Sequence, residues 1–202
     1  VNADKIISFI NDKKLNLEWL IETHVHADHL SASPYIQNKL GGKIGISENI
    51  SDIQNIFGKT FNAGTEFQRD GSQFDKLFRE GDQYKIGKIQ CKVIHTPGHL
   101  GNHVCFGLSE QNILFSADHV MGWATSLVSP PDGDLTQFMR SLKKLSTKDQ
   151  YNKFYPGHGD IISNPKEIID YIIGHRKMRE SQILDELKDL SLTATKLTKA
   201  IY

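Results

Sequence analysis

One run of metal-ligand side chains constrains this chain more than any other feature. Three histidines and an aspartate fall within six residues, His24-Val-His26-Ala-Asp28-His29, directly after the apolar segment Leu17–Thr23, which is predicted as a strand. Because residues two apart in extended backbone point the same way, His24 and His26 can bind one cation. Asp28 and His29 follow the turn and can face a second cation. Imidazole and carboxylate suit zinc, iron and manganese, so the run predicts a metal centre.

Three more turns place a metal-ligand side chain at the exit of a predicted strand. His95-Thr-Pro-Gly-His99 follows an apolar strand, and its Pro-Gly pair forces a tight bend that can aim His99 inward. Phe115-Ser-Ala-Asp118 ends the next strand with a carboxylate, whose two oxygens can bind separate cations. Tyr155-Pro-Gly-His158 repeats the order of strand, Pro-Gly and histidine. Four such strand ends predict that the ligands share one rim of the fold.

The candidate ligands are numerous enough for two cations. The first cation is expected to take His24, His26 and His99, the second Asp28, His29 and His158, with Asp118 shared between them. This arrangement leaves each cation an open position, which distinguishes catalytic from closed structural sites. We expect two divalent metal ions, zinc first and iron or manganese as alternatives. Two cations ~3.5–4 Å apart can hold a bridging hydroxide and polarise a carbonyl or phosphoryl oxygen, so the expected chemistry is hydrolysis.

The composition argues against several classes of function. The chain has 202 residues, with 24 Lys and Arg against 24 Asp and Glu, so it lacks a strongly basic footprint for nucleic acid or anionic membrane. No apolar run approaches the ~20 residues of a membrane span, and no charged-then-apolar leader is recognised. Cys91 and Cys105 are expected to be reduced thiols. We therefore expect a cytoplasmic protein with a small-molecule substrate and no membrane partner, nucleic acid being disfavoured and a homodimer left open.

Hydrophobic period and turn residues predict a chain of mixed α and β structure. The order of its strands and helices favours an α/β or layered α+β class. The stretch 61–79 is predicted to be irregular. A main domain is expected over 1–164 and a helical segment over 165–202. Helices are predicted over residues 2–14, 33–40, 48–57, 134–145 and 165–190, and strands over 17–23, 43–46, 89–94, 103–108, 112–116 and 153–155.

Because of these four turns and the ligands that they carry, the chain resembles the metallo-β-lactamase superfamily of metallohydrolases. The H-x-H-x-D-H signature of that family is matched by residues 24–29, and its later ligands fall on His99, Asp118 and His158. The resemblance covers nearly all 202 residues. It implies an αββα sandwich, in which two sheets pack face to face between outer helices. Because the hairpin strands that normally precede the first helix are not found, we expect a sandwich that lacks its first strands.

The finer resemblance is divided between two branches. Residues 22–33 and 64–75 look like the persulfide dioxygenase and glyoxalase-II-like branch. Residues 116–123 and 130–134, with the helix around His175, look like the β-lactamase-like-2 branch, whose members include a ribonuclease. That second branch carries a small winged-helix-like piece, which the C-terminal residues would begin. The mixture leaves the choice of substrate open.

Two residues are candidates for proton transfer. Asp28 is the first, because no other acid is fixed by a motif so near the expected nucleophile. His119 follows Asp118 and is a candidate either to donate a hydrogen bond to a metal ligand or to act as an acid that faces the substrate, with a structural role as the alternative. Three further residues lie where they can orient the ligands, namely Thr23, Thr96 and Asp160.

Other side chains near the ligands have a structural interpretation as the default. Trp123 and Met121 are expected to pack in the core, with an apolar substrate wall as the alternative. His175 and Arg176 are expected to form an exposed pair on the long helix, with contact to an anionic substrate as the alternative. The remaining histidines, His95 and His103, are expected to be structural.

Three classes of function compete. A dinuclear metallohydrolase, which uses a metal-bridging hydroxide on an ester, thioester, lactone or related bond, is favoured because all seven ligands are present. A mononuclear iron oxygenase of the persulfide dioxygenase kind is the first alternative. It would hold iron through His24, His26 and either His99 or Asp118. A metal-dependent ribonuclease or phosphodiesterase is the second alternative. A non-catalytic or nucleic-acid-handling module is disfavoured, because the ligand set is intact and the segment Lys166–Lys199 holds both signs of charge in near balance.

Overall fold

A computed structural model describes residues 2–29, 31–188 and 191–202. It contains helices and strands in mixed order, as the sequence predicts. The helices are α1 (Asn2–Asp12), α2 (Ser33–Leu40), α3 (Ile50–Thr60), α4 (Leu135–Ser146), α5 (Pro165–Glu186) and α6 (Ala194–Ile201). The strands are β1 (Trp19–Ile21), β2 (Lys43–Ser47), β3 (Lys76–Phe78), β4 (Gln83–Ile86), β5 (Ile89–His95), β6 (Val104–Leu108), β7 (Ile113–Ala117) and β8 (Lys153–Pro156).

The strands form two sheets. The smaller sheet is parallel and has the order β1-β2-β3, and the larger has the order β4-β5-β6-β7-β8. In the larger sheet, neighbours from β4 to β7 are antiparallel, whereas β7 and β8 run parallel. Strands β5, β7 and β8 therefore run in one direction, so their carboxyl ends meet at one edge.

The two sheets pack face to face through an apolar core. Phe78 of the small sheet packs with Tyr84, Val93 and Phe106 of the large sheet, and Trp19 lies against this cluster. Aromatic and β-branched side chains with period-two spacing fill the space between two pleated surfaces. The alternation of apolar residues along β5 thus reflects a strand with both of its faces partly buried.

Helices cover the outer faces of both sheets. Ile50 and Ile53 of α3 pack on Ile46 of β2. On the opposite side, α4 and α5 contribute Phe138 and Ile169 to a second core cluster with the large sheet. This order of layers confirms the expected αββα sandwich. The division at residues 164 and 165 stays a prediction.

Several element boundaries differ from those predicted, among them those of β3, β1 and α5. Strand β3 lies inside the stretch 61–79, which was expected to be irregular; it is only three residues long and pairs with β2 across a sequence gap of about thirty residues. Strand β1 has three residues rather than seven. Helix α5 ends at Glu186 rather than at residue 190, and residues 189 and 190 lie outside the described part of the chain. Short elements held by non-local pairing leave little local signal.

The structure bears on two further predictions, one about the state of the cysteines and one about membrane-spanning helices. Cys91 and Cys105 are both free, as expected, and both are buried. Within the described residues, none of the helices combines the length and the apolar character that crossing a bilayer requires.

Candidate metal centre

The first ligand group consists of three histidines that the sequence placed together. Single ring nitrogens of His24, His26 and His99 all lie within 4.8 Å of one another. His24 and His99 are buried, whereas His26 is half-buried. The ring centroids of His26 and His99 are 4.6 Å apart and nearly perpendicular. Strand β1 leads into His24 and His26, and the Pro97-Gly98 turn after β5 brings His99 to the same place.

The second group contains the remaining four predicted ligands. Ligand atoms of Asp28, His29, Asp118 and His158 lie within 4.8 Å of one another. His158 Nε2 is 3.1 Å from Asp28 Oδ2, and His29 Nε2 is 3.2 Å from Asp118 Oδ2. Asp28 is the exposed member, with a side chain 58% accessible, whereas that of Asp118 is 6% accessible. The group is therefore open on the Asp28 side.

Asp118 lies between the two groups. Its Oδ2 atom is 3.9 Å from His24 Nε2 and 3.8 Å from His99 Nε2, both in the first group. The same oxygen is 3.4 Å from His158 Nε2 in the second group. The chain turns sharply before this residue, since Ala117 has a φ of +44° at the end of β7. The position of Asp118 is the one expected of a shared ligand.

The donor atoms of these groups fit divalent cations. His24 Nε2, His99 Nε2 and Asp118 Oδ1 are buried and have no hydrogen-bond partner among the residues that the structure describes. A buried polar atom without a partner costs about 1–3 kcal/mol, so such atoms are rarely left unpaired. His24 Nε2 and His99 Nε2 lie 3.9 and 3.8 Å from the other oxygen of Asp118, Oδ2. Nitrogen and carboxylate donors this close together match the chemistry that zinc, iron and manganese accept.

Burial keeps the first group in the form that binds metal. The pKa of His24 is lowered to about 2, mainly by burial and then by the neighbouring His29 and His99. Burial, with His99, also lowers the pKa of His26. For Asp28, burial acts to raise the pKa, but hydrogen bonding and the nearby His29 and His158 hold it below its ordinary value. Neutral imidazoles and an ionised carboxylate are the forms that coordinate cations.

Comparison with known proteins identifies the family. Residues 2–158 match the family model described as the metallo-beta-lactamase superfamily. The chain belongs to the metallo-β-lactamase superfamily. A probable metallo-hydrolase of Burkholderia pseudomallei is 34% identical over 167 residues, covering 78% of this chain and 57% of the relative. Glyoxylase B2 of Dictyostelium discoideum is 34% identical over 159 residues, covering 78% and 54%.

One further curated relative and one solved structure are similar to this chain. A beta-lactamase-like protein 2 homolog of Caenorhabditis elegans is 29% identical over 191 residues, covering 93% of this chain and 58% of the relative. The chain thus spans a little over half the length of these curated relatives. A beta-lactamase domain protein from Burkholderia ambifaria superposes with a TM-score of 0.76 at 18% identity, covering 97% of this chain and 67% of that structure. At that identity the likeness supports the fold.

Two hydrogen bonds orient ligands of the metallo-β-lactamase centre. Thr23 Oγ1 lies 3.0 Å from His24 Nδ1, which fits the orienting role expected of Thr23. His99 Nδ1 donates to the Leu127 carbonyl at 2.5 Å, so the other ring nitrogen of His99 keeps its lone pair for a cation. Sequence reasoning missed Leu127, because a backbone carbonyl carries no residue signature.

Thr96 and Asp160 were also expected to orient ligands, but in the described part of the chain their contacts are with other residues. Thr96 Oγ1 instead lies 2.8 Å from Nδ1 of His103, a buried histidine behind the ligands. Asp160 is exposed, and its backbone packs against Gly122. Of the three residues expected to orient ligands, Thr23 is the one with a contact to a ligand ring in the described part of the chain, and the roles of Thr96 and Asp160 stay predictions.

His119 lies outside both ligand groups. It is fully buried, and its ring centroid is 4.6 Å from that of Phe138. Burial lowers its pKa to about 3. Both ring nitrogens are buried without a partner among the described residues. The structure gives His119 the surroundings of a structural histidine, and its role in proton transfer stays a prediction that this burial argues against.

Two expectations about neighbouring side chains are wrong. Trp123, expected in the core, is 73% exposed, and its ring stacks on that of His158 with centroids 6.0 Å apart. Arg176, expected to lie on the helix surface, is half-buried and donates to the Ser126 carbonyl. Trp123 belongs to the segment that follows Asp118, and Arg176 contacts that segment at Ser126. Helical or strand periodicity does not describe this segment.

Proposed function

We propose that this chain is a metal-dependent hydrolase that uses a dinuclear His/Asp centre to cleave an ester, thioester, lactone or related bond of a small molecule. The observation that carries the proposal is the position of Asp118 Oδ2, within 3.9 Å of ligand nitrogens in both groups. Such a carboxylate supports two cations close together. The family membership and the relatives named metallo-hydrolase and glyoxylase support the same class of reaction.

The chain's own residues would hold two cations at defined atoms. When bound, these cations supply Lewis acidity and a nucleophilic hydroxide near neutral pH. Nε2 of His24 and His99 is available to the first cation, because Thr23 and the Leu127 carbonyl occupy the opposite ring nitrogens. Asp118 neutralises part of the added charge from a buried position. Fixed ring orientations reduce the reorganisation needed when charge develops during reaction.

Asp28 is the proposed proton carrier. Its carboxylate is exposed, lies 3.1 Å from His158 Nε2 and has a lowered pKa, so it is ionised near neutral pH. An ionised carboxylate at the open side of the centre can orient a water molecule or accept its proton. Asp118 is too buried to exchange protons with solvent as readily. This asymmetry between the two carboxylates supports Asp28 as the proposed carrier of the mobile proton.

The completeness of the second ligand group favours two cations over one. A mononuclear iron oxygenase needs only the first group and one carboxylate, yet four ligand atoms of the second group also converge within 4.8 Å. We propose zinc as the resident metal, a cytoplasmic location and a small-molecule substrate. A homodimer is a further proposal that size measurement in solution would test.

Elemental analysis of the protein purified without added metal tests this function. About two zinc or manganese atoms per chain, together with hydrolysis of at least one thioester, lactone or phosphodiester in a screen, would support the proposal. Asp28→Asn should abolish turnover while the first cation is retained, and Asp160→Asn is the matched control on an exposed carboxylate. About one iron per chain with oxygen uptake on a persulfide would overturn the hydrolase assignment.

A further inference from the structure

A large aromatic ring stands exposed at the edge of the metal centre. Trp123 is 73% exposed, and its ring is nearly parallel to that of His158, with 13° between the planes. His158 is itself one of the four ligands of the second group. An exposed tryptophan is unusual because its burial is strongly favourable. Trp123 therefore presents apolar surface directly beside a ligand.

The backbone fixes Trp123 in this position. Gly122 N donates to the His158 carbonyl at 2.9 Å. A Cβ added to Gly159, whose φ is +87°, would lie 2.8 Å from Trp123 N and 2.7 Å from the carbonyl carbon of Gly122. The two segments can pack this closely because glycine lacks a side chain. The tryptophan is thus held against the His158 turn by main-chain contacts and is not a freely moving surface residue.

A second exposed apolar side chain is tied to the other ligand group. Leu127 is 71% exposed, while its carbonyl accepts the hydrogen bond from His99. One segment, residues 123–127, therefore carries an apolar residue anchored at each ligand group. Ser126 in the same segment is buried and donates to the Asp118 carbonyl. These anchors define an apolar rim, which we name the Trp123–Leu127 rim.

We propose that the Trp123–Leu127 rim is a substrate subsite that binds an apolar acyl or aromatic substituent next to the scissile carbonyl. The inference rests on the proposed hydrolase function and adds the substrate class to it. A flat indole face binds aromatic or alkyl groups by removing apolar surface from water. Its placement on His158 brings such a group beside the centre rather than to a remote surface. Short or fully polar substrates would leave the rim exposed.

Binding of carboxylates to the zinc-loaded protein tests the subsite without requiring turnover. 3-Phenylpropionate and acetate share a metal-binding carboxylate and differ in the apolar group. Calorimetry should show 3-phenylpropionate binding at least about fivefold more tightly than acetate, as expected for one aromatic contact. In Trp123→Ala this preference should disappear with unchanged zinc content, and Trp123→Phe should restore most of it. Tryptophan fluorescence of the wild type should be quenched by 3-phenylpropionate but not by acetate.

Phe61→Ala is the matched control, because Phe61 is 74% exposed and belongs to neither ligand group. It should keep the wild-type preference. Two results would overturn the subsite proposal. One is a preference for 3-phenylpropionate over acetate that stays unchanged in Trp123→Ala, and the other is equal binding of the two carboxylates by the wild type. Failure of the hydrolase proposal would give a different result. The zinc-loaded protein would bind 3-phenylpropionate more tightly than acetate but would hydrolyse no ester or thioester, whether or not its acyl group is apolar.

Discussion

Gly157 lies directly against the carboxylate of Asp118. A Cβ added at residue 157 would collide with Asp118 Oδ1 and would lie 3.2 Å from His29 Cε1. The turn before His158 thus needs glycine because of the space that the carboxylate occupies. The Pro-Gly pair, which the sequence suggested as a bend, also makes room for the shared ligand.

We expect Gly157→Ala to weaken metal binding, because the added methyl group displaces Asp118 from its place between the groups. Displacing a residue that positions ligands typically costs about 10- to 100-fold in metal affinity. Competition with a chromogenic chelator measures the change. Gly174→Ala is the control, since a Cβ there meets nothing within 4 Å. Wild-type affinity in Gly157→Ala would show that Asp118 can move without loss.

Asp118→Ala should lower the metal content below two per chain, because one change removes a ligand near both groups. In chelator the change in stability should be small, because two effects oppose each other. The variant loses the contact of Oδ2 with His29 Nε2, but it also removes the buried Oδ1, which has no partner among the described residues. With metal at about 100 times the dissociation constant, the wild type should gain about 2.7 kcal/mol of unfolding free energy per site. Thermal unfolding with and without metal tests both statements, and normal two-metal loading would contradict the shared-ligand assignment.

Arg176 should stabilise the segment that carries the Trp123–Leu127 rim. Its guanidinium donates to the Ser126 carbonyl and lies 5.5 Å from the centroid of the Phe138 ring. Arg176→Met removes both interactions, so we expect a loss of about 1–2 kcal/mol in unfolding free energy. Urea denaturation measures this loss, and amide hydrogen exchange over residues 120–129 should become faster. Lys177→Met, an exposed neighbour on α5, should change neither quantity.

The metal-free protein should lose stability as the pH falls below 6.5. His103 and His119 are buried, and burial lowers both of their pKa values, that of His119 to about 3. Below pH 6.5 the unfolded chain binds protons at these residues while the folded chain does not, so folding becomes less favourable. His119 should remove about 2 kcal/mol between pH 8 and pH 5, and His103 should act in the same direction.

Denaturation in chelator across this range tests the prediction. His119→Leu, which fits the apolar contact with Phe138 and cannot titrate, should flatten the pH dependence. His175→Gln serves as the control on α5. A pH dependence in His119→Leu equal to that of the wild type would show that His119 already takes up a proton in the folded state.

The candidate ligands could be selected from the sequence because each of them lies beside a local structural signal. His24, His26, Asp28 and His29 follow one short apolar strand, and His99 and His158 each follow Pro-Gly. Strand direction and tight bends are decided by residues a few positions away. The sandwich was expected from the family resemblance, and periodicity alone supplied only the mixed α and β class.

The surroundings of the ligands were decided by tertiary structure. The Leu127 carbonyl meets His99 across 28 residues, and Arg176 meets Ser126 across 50 residues. Trp123 reads as a core residue by hydrophobicity, yet the contact of Gly122 with the His158 turn holds it exposed. Backbone carbonyls and long-range packing depend on how the strands and helices come together, and the sequence does not encode these contacts as a local pattern. The sequence therefore determined which side chains can bind metal, and the fold decided what orients them and what lies beside them.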